Sequence, residues 1–346
     1  MDKKVKVGVI GATGYAGIEL VRILSDHPKA ELVGVSSVSF NGKNISRIYP
    51  GLRAGFNQTL VEGIEAMPSE CDVIFGSLPH GLSEEIGAAC MKKGVAFIDL
   101  GADFRLEDEE EYIKWYGNKF KDTLLHKQAV YGLCELFREE IRKSRLVANP
   151  GCYPTSVALG LYPALKDHLV HREGIIIDSK SGVTGSGRGL TLSTHYPECN
   201  EAMSAYKAGA HRHRPEIEQT LSKICGSKVN VTFTPHLIPA NRGILSTIYC
   251  DKKAEYSQIR RCYERAYENE PFVVLLEEGE YANIKNVRLT NCCHISLHQD
   301  EHTQKLIICC AIDNMVKGAA GQAVQNMNII FGFNETLGLS IIAPAF

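Results

Sequence analysis

A cysteine does covalent chemistry as its thiolate, and one of the twelve in this chain stands where a thiolate would be favoured. In Asn149-Pro150-Gly151-Cys152-Tyr153-Pro154-Thr155-Ser156, Cys152 falls in a turn just ahead of a helix predicted over Thr155 to Lys166. Backbone N–H groups and the positive end of a helix dipole stabilise negative charge on sulfur. Gly151 beside it leaves room for a substrate carbonyl. Most of the other cysteines read as buried thiols of a reducing cytosol. None forms a C-x-x-C pair, and Cys292-Cys293 and Cys309-Cys310 sit in strand-like stretches, so no metal site is expected.

A nucleophile of this kind needs a partner that moves protons. The segment Gly209-Ala210-His211-Arg212-His213-Arg214-Pro215-Glu216 supplies two histidines among cations. His211 is read as the acid-base residue, and His213 as a shuttle, a substrate contact or a surface histidine. Three arginines at strand ends or glycine turns suit an anionic substrate, because a guanidinium matches carboxylate or phosphate with two parallel hydrogen bonds. They are Arg105 in Asp99 to Arg105, Arg242 in Pro239 to Gly243, and Arg188 in Ser181 to Arg188. Arg105 and Arg242 carry the substrate reading; Arg188 reads more simply as a solvated loop charge.

Gly11-Ala12-Thr13-Gly14-Tyr15-Ala16-Gly17 lies between a predicted strand and a predicted helix. There glycines let the backbone turn and approach a pyrophosphate at a helix N-terminus. The spacing is G-x-x-G-x-x-G, and Gly11, Thr13, Gly14, Tyr15 and Ala16 are the candidate cofactor contacts. A chain that chooses NAD usually ends its second strand on Asp or Glu, which accepts from the ribose 2′-hydroxyl. This one has Ser36 and Ser37. A hydroxyl tolerates a 2′-phosphate that a carboxylate repels, so NADP is the expected cofactor, with Lys43 or Arg47 the cation that would have to reach that phosphate.

The elements that must position these groups follow from pattern. A chain of 346 residues favours two domains, which can enclose a cleft. A net charge of -2, with 44% hydrophobic and 23% charged residues, gives no strong field to recruit nucleic acid or membrane. No stretch is apolar enough to span a bilayer, and Met1 to Lys4 lead into a strand without a secretory leader. Strands are predicted at Val5–Ile10, Leu32–Ser36, Val73–Ser77 and Val95–Asp99, with helices at Tyr15–Ser25 and Leu82–Lys93, the alternation of a parallel sheet. Glu107–Lys119 reads as a charged, solvated surface segment. After Asn149 the pattern changes to strands at Ile175–Ser179, Val229–Pro235, Gly243–Cys250, Val287–Leu297 and Lys305–Ile312, interrupted by a helix at Tyr256–Glu268. A tail helix at Gly318–Phe331 has Ala320, Val324, Met327 and Phe331 on one face. The expected division is 1–150 with about 316–346 as one domain and 151–315 as the other.

Together these segments resemble the N-acetyl-γ-glutamyl-phosphate reductase family, within the aspartate-semialdehyde dehydrogenase-like superfamily. The resemblance runs nearly end to end. It rests on Gly11 to Gly17, Asn149 to Thr155, Ser181 to Arg188, Gly209 to Glu216 and Lys317 to Asn326. It implies an α/β chain with a Rossmann-type dinucleotide-binding domain, an α+β catalytic and dimerisation domain with a mixed sheet, and a C-terminal helix returning to the first. It also implies Cys152 as nucleophile, His211 as acid-base residue, and Arg105 on the substrate phosphate with Asn149 nearby. Leu78, Pro79, His80 and Asn326 would border the nicotinamide pocket, with Ser181 and Gly182 among the cofactor contacts. The family often has an arginine directly after the two serines, where this chain has Val38. The implied activity is NADPH-dependent reduction of a small acyl phosphate in arginine biosynthesis, in the cytoplasm, by a homodimer or homotetramer. The alternatives are a related reductase of a carrier-protein-bound aminoadipyl or glutamyl phosphate and a nonenzymatic NADP-binding redox sensor; aspartate-semialdehyde dehydrogenase itself matches the motifs less well.

Overall fold

A computed structural model describes residues 4–65 and 67–346. Met1, Asp2 and Lys3, on which the reading of the N-terminus partly rests, and Ala66 lie outside the described residues. The chain divides into two compact units: residues up to Pro150 with Ala319–Leu339, and Gly151–Gly318 with Ser340–Phe346.

The first unit is built on six parallel strands: β1 (Val5–Ile10), β2 (Ala30–Val35), β3 (Val73–Gly76), β4 (Ala96–Asp99), β5 (Val130–Tyr131) and β6 (Leu146–Ala148). Val7, Val9, Val73, Phe75, Phe97 and Ile98 are wholly buried, as strands covered on both faces must be. The order β2-β1-β3-β4-β6-β5 reverses direction at β1. Segments 11–14, 77–83, 100–105 and Asn149 all follow carboxyl ends of strands, where sheets of this type bind ligands.

The helix Gly321–Ile330 belongs to this unit and packs on the helices Tyr15–Ser25 and Cys134–Lys143. Of the expected face, Ala320, Val324 and Met327 are buried there and Phe331 is half-buried; Gln322, Gln325, Asn326 and Asn328 are buried too, because neighbouring backbone and side chains meet most of their amide groups. The turn Val316–Ala320 ahead of it is π-helical.

The solvated segment expected at Glu107–Lys119 is instead a helix over Glu109–Tyr116, capped by Asp108. Its charges face water, while Tyr112 is fully buried and donates to Asp103 Oδ1 at 2.9 Å. One aromatic among acids was enough to anchor it.

Gly17 shows why the first helix can start where it does. A Cβ there would lie 2.1 Å from Gly11 O and 2.9 Å from Ala12 Cα. Gly17→Ala is expected to cost about 1–3 kcal/mol, read as a lower urea midpoint, because backbone cannot move aside as a flexible side chain can.

The second unit has a mixed sheet of β7 (Ile175–Ser181), β8 (Ser204–Ala205), β9 (Val231–Leu237), β10 (Ile244–Asp251), β11 (Val273–Leu275), β12 (Cys293–Gln299) and β13 (Lys305–Ile312), in the order β11-β12-β13-β10-β7-β9-β8. Ile177, Ser246, Ile248, Leu306 and Ile308 are buried on the face that meets the helices Cys152–Lys166 and Tyr256–Tyr267. On the opposite face Ile176, Thr247, Tyr249, Ile307 and Cys309 stay partly exposed, the alternation of a sheet covered on one side. The strand expected over Val287–Leu297 begins only at Cys293. Before it the chain makes a 3-10 turn at Ile284–Val287 and a left-handed residue at Leu289, so β-branched composition misplaced the start.

Candidate active site

Cys152 is the first residue of the helix Cys152–Lys166, three positions earlier than the predicted start, with Gly151 as its N-cap. Pro154 stands in the first turn, where a proline removes an N–H that has no helical partner anyway. The sulfur therefore sits at the positive end of the dipole itself. Cys152 is partly exposed, whereas nine of the twelve cysteines are buried. Burial pushes the thiols of Cys90, Cys250 and Cys262 up to about 12 and that of Cys71 to about 11, away from the reactive form.

Two features hold that helix start. Glu216, itself buried, accepts from Gly151 N at 2.8 Å with Oε1. Gly318 lies so close that a Cβ there would be 2.8 Å from Cys152 Cβ. Neither residue was singled out from sequence, although Glu216 ends the histidine segment. Glu216→Ala leaves a buried N–H unpaired and is expected to cost about 2 kcal/mol in urea unfolding, with a fall in kcat; Glu216→Gln, which still accepts, should recover most of both.

His211 is 7% exposed and ringed by aromatic edges: Tyr153 at 5.6 Å, Tyr206 at 5.5 Å, Phe233 at 5.6 Å and His213 at 4.8 Å between centroids. It precedes the helix His213–Cys225, which sequence reading did not foresee, and its Nδ1 accepts from His213 N at 3.1 Å. That bond satisfies the first N–H of the helix and fixes the tautomer, leaving the ring proton on Nε2. Burial, reinforced by Lys207 and Arg212, lowers its pKa to about 4. His211 is thus a neutral imidazole that donates from Nε2. Tyr153 and Tyr206 share a hydroxyl pair at 3.0 Å, and both feel the charge of Cys152. His213 is half-buried against the Tyr153 ring, at 5.9 Å.

Arg242 pairs with the buried Asp313 at 3.5 Å, in the same unit as Cys152 and His211. Ser181 is buried with its hydroxyl on Gly182 O, and Gly182 lies against the backbone of Asn241 and Arg242. Arg188 is exposed.

In the first unit, Gly11 has φ +78 and a Cβ there would lie 2.1 Å from Ser77 O, so only glycine makes this turn. Gly14 is the helix N-cap, with no side chain over it. The first helical bond runs from Ile18 N to Gly14 O, leaving the N–H groups of Tyr15, Ala16 and Gly17 at an open helix end. The cradle fits a pyrophosphate. Ser36 and Ser37 are buried, and Ser37 Oγ is 2.7 Å from Thr13 Oγ1, so this hydroxyl binds the loop. Val38, Lys43 and Arg47 are exposed.

Leu78 is half-buried, while Pro79 and His80 are exposed in a loop pinned by Asp103, whose carboxylate accepts from Gly81 N at 2.6 Å and Ser83 N at 2.8 Å. Arg105 is 8% exposed and donates from Nε to Asn149 O and from Nη2 to Leu100 O, both at 2.8 Å. Asn149 is also fully engaged: Nδ2 donates to Ala319 O and Oδ1 accepts from Asn326 Nδ2, both at 3.1 Å. Asn326 is wholly buried and also holds Gly132 O and the Cys134 thiol. In this structure Asn149 and Asn326 are braces of the strand ends.

A dinucleotide loop on a parallel sheet and a thiol at a helix start on a second, mixed sheet define the semialdehyde dehydrogenase class. Residues 6–144 match the family described as semialdehyde dehydrogenase, NAD binding domain, and residues 152–314 that described as semialdehyde dehydrogenase, dimerisation domain. Aspartate semialdehyde dehydrogenase II of Vibrio cholerae has the same fold, with a TM-score of 0.73 over 96% of this chain and 99% of that one at 17% identity.

Within that class the chain belongs to the N-acetyl-gamma-glutamyl-phosphate reductase family. It is 56% identical to the protein of that name from Clostridium beijerinckii over 344 residues, covering 99% of this chain and 100% of the relative. It is 53% identical to that from Brachyspira hyodysenteriae, with the same coverage.

Proposed function

We propose that this chain reduces N-acetyl-L-glutamyl 5-phosphate to N-acetyl-L-glutamate 5-semialdehyde and phosphate, with NADPH as reductant, in arginine biosynthesis. The observation that carries the reading is Cys152 at the first position of its helix in a chain that is 56% identical, end to end, to a reductase of that name. Thiolate Cys152 attacks the acyl carbon, the bond to the phosphate oxygen breaks, and a thioester forms. The Gly11–Gly17 loop would hold NADPH, which when bound would be the source of the hydride that the thioester carbon accepts. The Nε2–H of neutral His211 donates a hydrogen bond to the thiohemiacetal oxyanion; as that oxyanion collapses the C–S bond breaks, the aldehyde leaves and Cys152 returns to the thiolate. Arg105 and Arg242 hold the phosphate and the α-carboxylate.

The open face of the second sheet, with Ile176, Tyr249 and Ile307, suits a second copy of the chain, giving a homodimer or a tetramer built from it. No helix among the described residues is long and apolar enough to cross a membrane. Twelve thiols with no disulfide fit a cytoplasmic enzyme. The test is the reverse reaction followed at the absorbance of reduced cofactor. N-acetylglutamate semialdehyde with phosphate should reduce NADP faster than NAD, and the unacetylated semialdehyde should be a poor substrate. Equal rates without phosphate would overturn the acyl-phosphate reading.

A further inference from the structure

Beside Arg242, the second unit contains a cavity of about 500 Å³ that this arginine walls together with Lys285 and Arg288, two residues not used above, with Ala240, Ile284 and Leu289 as its apolar lining. No Asp or Glu is among its lining residues, and the carboxyl groups that reach its walls are those of Asp313, on Arg242, and of the terminal Phe346, on Arg288. Arg242 reaches the buried Asp313 at 3.5 Å. Lys285 is exposed and its ammonium has no ion-pair partner among the described residues. Arg288 donates from Nη2 to Phe346 O at 2.6 Å, and its Nε is buried with no hydrogen-bond partner. A buried donor left unpaired is costly and marks a place where an acceptor belongs.

The walls are built to hold this arrangement. Asp313 accepts from Met315 N, Val316 N and Arg242 with Oδ1, and from Leu289 N with Oδ2 at 2.7 Å. That last bond keeps Leu289 at φ +61, a left-handed conformation that a leucine rarely adopts. Opposite, Gly243 at φ +109 lies so close to Ile284 that a Cβ would be 2.7 Å from Ile284 Cβ. Strained backbone persists where the surroundings over-determine it, and it clusters at ligand sites. The cavity also connects to the nucleophile within this unit: Asp313 O accepts from Gly318 N at 2.9 Å, and Gly318 lies against Cys152.

We infer that the Arg242, Lys285 and Arg288 cavity is a binding site for the carboxylate of a small aliphatic acid. Arginine forks give the bidentate match, the lysine adds a point charge, and Ile284 and Leu289 take the aliphatic part. Two sources supply such a group: the α-carboxylate end of the substrate itself, which rests on the reductase reading, and a separate carboxylate metabolite.

The test is calorimetric titration of the full-length protein with N-acetyl-L-glutamate and, in parallel, with inorganic phosphate, using wild type, Lys285→Ala, Lys285→Glu and Arg288→Ala. Lys285 is exposed, so its variants keep the fold if Arg288→Ala does not. Removal of one charged partner is expected to weaken N-acetyl-L-glutamate binding about tenfold, and charge reversal further. With a substrate-borne carboxylate, KM for the acyl phosphate rises by a similar factor at unchanged kcat, and N-acetyl-L-glutamate competes with substrate. With a separate ligand, KM stays and inhibition or activation is noncompetitive. Binding and KM both unchanged in folded Lys285→Glu, or tighter binding of phosphate than of the carboxylate, overturns the assignment. A wild type that binds N-acetyl-L-glutamate through Lys285 without turnover fails the reductase reading and leaves the site standing.

Discussion

Replacement of Cys152 by serine is expected to lower kcat on the order of a thousandfold or more while the affinity for NADP, read by quenching of protein fluorescence, stays within about twofold. A serine hydroxyl is barely ionised at neutral pH, and the helix dipole that favours a thiolate at this position cannot bridge that gap. The cofactor loop in residues 11–17 makes its turn with Ser77 and its own helix, in a unit that does not include residue 152, so binding should be indifferent to the change. Single-turnover acylation separates the readings further. The wild type should release one equivalent of phosphate from the acyl phosphate without any cofactor, and Cys152→Ser none. Undiminished turnover by the serine variant would sink the thioester mechanism.

His211→Asn is expected to lower kcat by about a hundred- to a thousandfold, with little change in the phosphate burst. The choice of asparagine matters. Its Oδ1 replaces Nδ1 as acceptor for His213 N, so the helix start is kept, while the Nε2 proton is lost. An equal loss in His211→Asn and His211→Ala assigns the effect to the proton; recovery by asparagine would instead make His211 a helix cap.

The same residue sets a pH dependence whose sign follows from burial. Its pKa in the fold, about 4, lies below the ordinary 6.5. The ring is therefore neutral throughout the neutral range, and the acid limb of kcat belonging to it should lie near pH 4. In the linked stability, the unfolded chain binds the proton first as pH falls. The contribution is present in full above pH 6.5 and is lost between 6.5 and 4, on the order of 3 kcal/mol. Urea unfolding at pH 7, 6 and 5 measures it, and His211→Asn should flatten that decline.

Much of the first unit was legible because a parallel sheet buries both faces of each strand, which leaves contiguous runs such as Val5–Ile10 and Val73–Gly76 in the sequence. The three-residue strand Leu146–Ala148 and the two-residue strand Val130–Tyr131 were too short for any period to show. In the second unit, Pro215 in the first turn, Ile217, Thr220 and Leu221 at helical spacing, and Gly226 at φ +68 do mark the helix His213–Cys225. The two histidines drew the reading to chemistry and away from that period.

At the site, the place of Cys152 was readable because its signal is local, a glycine turn and a helix start. The hold that Glu216 has on Gly151 crosses 65 residues, and the contact of Gly318 with Cys152 crosses more, so neither leaves a trace in spacing. Asn149 and Asn326 carry the opposite lesson. Sequence marked them for ligands, and what no spacing could show is that Asn326 Nδ2 reaches Asn149 Oδ1 and Gly132 O while Asn149 Nδ2 reaches Ala319 O.

The burial of nine thiols bears on how this protein would fail under oxidants. Peroxide reacts with exposed thiolates, and the core sulfurs are out of solvent. Damage should therefore start at the reacting centre and leave the scaffold intact. A dose that silences turnover would produce a folded protein carrying a sulfenic acid at Cys152, restored by a thiol reductant. Cysteine-rich composition, which suggests fragility, instead leaves three partly exposed thiols, Cys152, Cys199 and Cys309, and of these Cys152 alone starts a long helix.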